Sequence, residues 1–202
     1  MRCVSLAALS LIATATAASA ADPRYPDWPC NQIKVPELSA AAVWAGPPID
    51  DVGDAWQNDP TIRDLVARVA ARRTSQEEAE KAITDYFASA TGDKQTKAKM
   101  LFAGVFTTLN RERAMVMDGI ERFARLQKQS AERIRGEVSE MRALQDASNH
   151  DEAKVEDLGN KINWETQVFQ DKRKTISYVC EVPTIIEQRL GALARAIQQA
   201  VE

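Results

Sequence analysis

An all-α domain is the fold this sequence predicts, and three features carry the expectation. Residues 93–148 and 152–182 hold no proline and place apolar side chains at three- and four-residue spacing. Two shorter segments before them open with helix-capping signals, Asp59-Pro60 and Ser75 followed by Glu78. A polar break, DASNHDEAK, separates the two long stripes. Together they predict a long antiparallel helical hairpin, coiled-coil-like, preceded by two short helices and by an irregular Trp/Pro-rich N-terminal arm.

The chain opens with MRCVSLAALSLIATATAASA, in which Arg2 precedes an apolar stretch from Val4 to Ala13 and small residues at Ala18-Ser19-Ala20. That order of charge, apolar core and small residues is the pattern of a secretory signal peptide, and the apolar stretch falls well short of the roughly 20 residues of a transmembrane helix. We therefore expect residues 1–20 to be a leader cleaved after Ala20 or Ala21, and a periplasmic or secreted mature protein with no transmembrane segment. Cys3 lacks the residues that precede a lipid-modified cysteine. The full chain carries a net charge of −3, one unit more negative without Arg2. That mild acidity offers no electrostatic attraction for nucleic acid or an anionic membrane surface.

Residues 21–60 form the expected arm. Seven of the eight prolines and three of the four tryptophans (Trp28, Trp44 and Trp56) fall in it, without sustained periodicity. At most one helical turn is expected near Leu38 to Trp44. The aromatic content argues that the segment lies on a helical body, because each docked tryptophan removes a large apolar area from water.

The helical domain is expected over residues 61–202, with the hairpin turn near 146–152. Its first helix carries Ile62, Leu65, Val66 and Val69 on one stripe; its second buries Ala79, Ile83, Tyr86 and Phe87 and ends at Thr91-Gly92. In KMLFAGVFTTL the apolar residues Met100, Leu101, Phe102, Val105, Phe106 and Leu109 span a wide arc, as for a segment surrounded by other elements. Val116, Ile120, Phe123, Ala131, Ile134, Val138, Met141 and Leu144 then form a narrower stripe, interrupted at Gln127. Asn149, three residues before Glu152, is the expected cap of the return helix. That helix repeats Val155, Leu158, Ile162, Glu165, Phe169, Lys172, Ile176 and Val179.

The stretch ISYVCEVPTII closes the reading. Pro183 predicts that the return helix ends or kinks near Val182 and restarts through Ile186, Leu190, Leu193, Ile197 and Val201. Cys30 and Cys180 are the two cysteines left after leader removal, and in an oxidising compartment they predict a disulfide joining arm to helix, at about the level of residue 118 on the outgoing strand of the hairpin.

No catalytic residue, metal centre or cofactor is expected. His150, the one histidine, lies in the turn, and without a second imidazole or nearby cysteines it makes neither a zinc site nor a catalytic triad. Asp50, Asp51 and Asp54 beside Trp44 and Trp56 offer oxygen ligands and an aromatic platform, the basis for an alternative reading as a small-ligand or calcium-binding module; their spacing differs from that of a calcium loop. Met115 and Met117, two residues apart, fall on different helix faces and suit packing better than copper. Trp164 lies off the seam, with Val168 on the same flank, and is the candidate partner-binding pair. The expected function is a non-enzymatic exported interaction protein: an adaptor or accessory subunit for another envelope protein, in a heteromeric complex or by self-association. A periplasmic holdase-type chaperone is the other reading.

Overall fold

The computed structural model describes residues 22–149 and 151–202; the expected signal peptide (1–20) and His150 lie outside the described residues. The chain is mostly helical, with no strand among the described residues. Its order is α1 (Ala40–Val43), a 3₁₀ turn (Ala55–Asn58), α2 (Pro60–Ala70), α3 (Gln76–Ser89), α4 (Lys94–Asp146) and α5 (Glu152–Gln199). The two long helices pack against each other, and α2 and α3 pack against their base.

Local chemistry sets each helix start. The Asp59 carboxylate accepts from the amides of Thr61 and Ile62, and Pro60, which has no amide hydrogen to leave unpaired, takes the first helical position. At α3 the capping box is reciprocal: Ser75 Oγ accepts from the Glu78 amide and the Glu78 carboxylate from the Ser75 amide. Gly92 takes a left-handed φ of +79° just after α3, where a side chain would be strained. Asp93 then caps α4 through the amides of Gln95 and Thr96. The cap of α5 is Asp151, which accepts from Ala153 and Lys154, and not Asn149 as expected. With α5 beginning at Glu152, Asp151 is the residue one step ahead of the first turn, where a short carboxylate reaches the free amides.

The core lies at the base. Ile62, Val66, Val69, Ile83, Phe87, Leu101, Phe102, Val105, Leu109, Leu190, Leu193 and Ile197 are fully enclosed. At roughly 1.5–3 kcal/mol for each such side chain, this cluster supplies the main stabilisation of the fold. Five consecutive residues, Leu101 to Val105, are buried, so α4 here has no solvent face. α2 and α5 cover parts of it, and the arm closes the rest. Trp44 stacks on Phe102 with centroids 4.4 Å apart, its indole N–H satisfied by the Pro47 carbonyl at 2.8 Å. Trp56 lies over Gly104, whose missing side chain permits the approach. Arg189, half-buried on α5, donates to the carbonyls of Val69 (2.7 Å), Ala71 (3.1 Å) and Thr74 (2.9 Å), and so terminates α2.

Pro183 neither ends nor divides α5, which runs unbroken from Glu152 to Gln199. A proline inside a helix costs about 3 kcal/mol. Here Pro183 is itself buried between Cys180 and Ile186, and the core residues on its far side hold the segment helical. Beyond the base, paired residues on α4 and α5 progress in opposite directions along the chain: Arg113 with Glu187 (2.6 Å), Gln127 with the Phe169 carbonyl (3.2 Å), Arg133 with Glu165 (2.9 Å), and Glu137 with Lys161 (2.8 Å). Gln127 thus spans the seam that it interrupts. Lys172, placed on the seam by its spacing, is exposed.

Candidate interaction face

The arm covers one side of the α4–α5 layer. A disulfide joins Cys30 to Cys180 with their Cα atoms 5.6 Å apart, and the Gln32 amide group donates to the Cys180 carbonyl. Lys34 pairs with Glu121 at 2.6 Å, and Asp27 with Lys128 at 2.8 Å and Arg125 at 3.4 Å. Arg113, buried, reaches the Pro36 carbonyl at 3.4 Å. The hydrogen bond from Lys128, foremost, holds the Asp27 carboxyl below its ordinary value.

The opposite side leaves several large apolar side chains in water. Trp164, Tyr178 and Ile185 on α5 are 67%, 72% and 56% exposed, and Leu126 and Met115 on α4 are exposed as well. Since a helix advances about 100° per residue, Tyr178 lies about 160° round α5 from Cys180, and Leu126 about 160° round α4 from Lys128. Both therefore point away from the arm. Trp164, Asp171, Tyr178 and Ile185 recur every seven residues, and Val168, Thr175 and Val182 fall between them. This is the spacing at which one helix packs along another. Asp171, the one charge in the row, is paired with Lys174 at 3.0 Å. At its base end the row meets a cleft of about 210 Å³ lined by Ala70, Leu109, Val182, Ile185 and Ile186 and rimmed by the Arg72–Glu112 ion pair.

Trp164 is thus on open surface, with Val168 half-buried beside it. Tyr178, Ile185 and Leu126 were not singled out by the sequence reading, although the seven-residue step from Trp164 to Tyr178 and Ile185 was a usable signal; Met115, expected to pack, is exposed instead. Met117 is buried while Met115 is exposed, which puts the two on different faces.

Of the residues of the small-ligand reading, Asp50 and Asp54 line one surface pocket, and Asp50 and Trp44 line another beside it. Trp44 is buried in the core, with one face against Phe102. Trp56 is half-buried, and its indole nitrogen is enclosed without a hydrogen-bond partner. Asp51 pairs with Lys99, whose hydrogen bond lowers the carboxyl pKa; Asp50 and Asp54 are exposed. Among the described residues no group of three or more His, Cys, Asp or Glu side chains is placed to hold a metal ion. No described helix is long and apolar enough to cross a membrane.

Comparison of the chain with protein-family models, with curated proteins and with solved structures finds no match.

Proposed function

We propose that this chain is a non-enzymatic, exported interaction protein that serves as an adaptor or accessory subunit for another protein of the cell envelope. In this reading α4 and α5 form a long antiparallel, coiled-coil-like hairpin held upright on the α2–α3 base, and the arm closes one of its sides. The row from Trp164 through Tyr178 to Ile185 is the docking face. One observation carries the proposal: Trp164, Tyr178 and Ile185, three of the large apolar side chains left in water, lie in a single seven-residue register on α5, on the side of the helical layer away from the arm, while exposed Ile33 and Val35 belong to the arm itself and Met115 and Leu126 to α4. Large aromatics with exposed faces dominate binding energy where they are buried on association. The Cys30–Cys180 bond, which persists in oxidising surroundings, supports an extracytoplasmic location, as does the signal-like order of residues 1–20.

The test is crosslinking in living cells from a photoreactive residue at position 164, with position 128 on the arm side as control. The expected result is one dominant partner captured at near-equal stoichiometry from 164 and absent from 128. Tyr178→Ala should abolish that capture while leaving the melting temperature of the isolated protein unchanged. A broad set of immature envelope proteins would identify a holdase instead, and loss of folding in Tyr178→Ala would refute the docking role of the face.

A further inference from the structure

The arm side of the helical layer carries a second feature, independent of the Trp164 row. Beside Pro29 a groove of about 390 Å³ opens along the seam, floored by Phe123, Ala131, Phe169 and Ile176. That volume falls in the range of small-molecule sites. From Phe123 to Arg135 the groove follows α4 for about 18 Å at 1.5 Å per residue, so it is narrow and elongated. Its charges are unevenly spent. Lys128 is committed to the Pro26 carbonyl at 2.7 Å and to Asp27. Arg135 on α4 and Arg173 on α5 line the groove, and neither guanidinium has a hydrogen bond or ion pair in the described structure. Glu132 is the one carboxylate on the lining, and it too is unpaired.

We propose that this groove binds a single-chain anionic amphiphile, a long-chain fatty carboxylate, with the acyl chain along Phe123, Ala131, Phe169 and Ile176 and the carboxylate held at one end by Arg173, Arg135 lying toward the other end of the lining. Charge complementarity selects this occupant. A guanidinium presents paired N–H donors that match a carboxylate, and its bonds to an ion are stronger than those between neutral groups. Arg173 has no anionic partner of its own, and the floor offers an acyl chain an apolar surface to leave water for. A cationic amphiphile would meet unpaired arginines on both helices, with Glu132 the one carboxylate on the lining to receive its head. The arm shapes the site, since Pro29, one residue before the disulfide, forms part of its wall.

The experiment is isothermal titration of the oxidised protein with dodecanoate below its micelle-forming concentration, in parallel with dodecyltrimethylammonium. One saturable site is expected, with the cationic amphiphile weaker by about tenfold or more, the scale of one charge-assisted hydrogen bond. The double variant Arg135→Gln/Arg173→Gln, both residues exposed and outside the core, should weaken dodecanoate binding by about tenfold with an unchanged melting curve. Ala131→Trp, which fills the groove, should abolish it. Tyr178→Ala should leave it intact, so failure here is separable from failure of the docking face. No saturable site, equal affinity for the two amphiphiles, or full binding by the double arginine variant would overturn the proposal. So would a photoreactive residue at 131 that captures a polypeptide while dodecanoate fails to compete.

Discussion

Two glycines of α4 should respond to the same substitution with opposite sign. Replacing a helix-interior glycine by alanine gains about 1 kcal/mol in backbone terms. At Gly136 nothing lies within 4 Å of the added methyl, so Gly136→Ala should raise stability by about 0.5–1 kcal/mol. At Gly104 the methyl would sit 2.6 Å from Val66 Cγ2 and 2.9 Å from the Trp56 ring, well inside contact distance. Val66 is β-branched and enclosed in the core, so it cannot rotate away cheaply. Relief must come from displacement of α2 or of Trp56, and such overpacking costs typically 1–3 kcal/mol. Gly104→Ala should therefore lose up to about 2 kcal/mol net, after the propensity gain. For a chain of this size that is a fall of up to about 8 °C in melting temperature, against a rise of about 1–4 °C for Gly136→Ala. Urea denaturation followed by far-ultraviolet circular dichroism measures both, and indole fluorescence reports whether Trp56 is displaced. Equal stabilisation by the two substitutions would refute the close packing of Trp56 and Val66 on α4.

Three further outcomes are expected. Cys30→Ser/Cys180→Ser opens a link that spans 150 residues of sequence, and chain entropy sets the loss at up to about 5 kcal/mol; chemical denaturation with and without reductant measures it, and equal midpoints would contradict the bridge. Arg189→Met removes three hydrogen bonds to the carbonyls at the end of α2; a loss of about 2–3 kcal/mol is expected, and a change below about 0.5 kcal/mol in urea midpoint analysis would show that the cap is dispensable. Asp27, Glu78 and Asp93 have carboxyl pKa values held below ordinary, by hydrogen bonds from Lys128, from the Ser75 amide and from Thr96 respectively. Because the folded values are the lower ones, their stabilisation is complete above the ordinary carboxylate range near pH 4 and fades as pH falls through it. Melting temperature should be level from about pH 5 to 7 and fall below about 4, with a shallower acid limb in Asp27→Asn; an identical limb in that variant would remove the arm's ion pairs from the account.

Much of the architecture was legible because it is set by short-range chemistry. Asp59-Pro60 and the Ser75–Glu78 box act within one helical turn, and the spacing from Val155 to Val179 states which face of α5 must leave water. The pairing of Cys30 with Cys180 followed from there being no other candidate once a leader is removed. Pro183 and Asn149 show where that logic stops. The local preference of a proline to end a helix was outweighed by core contacts on both sides of it, and the cap position moved to Asp151 with the register of the turn.

The candidate face divides in the same way. The seven-residue row from Trp164 to Ile185 is written in the sequence, but its exposure is not. A periodic apolar row reads identically whether a third helix covers it or water does, and only the course of the arm, along Glu121, Arg125 and Lys128, leaves that side open. Trp44 is the converse case. Its sequence neighbours are aspartates and prolines, while its contact is Phe102, brought to it by the fold. Capping, periodicity and cysteine count depend on residues a turn or so apart or on composition, so the sequence by itself determined the helices, their buried faces and the disulfide. Which apolar surface stays in water depends on where distant segments come to lie, and the tertiary structure alone decided it.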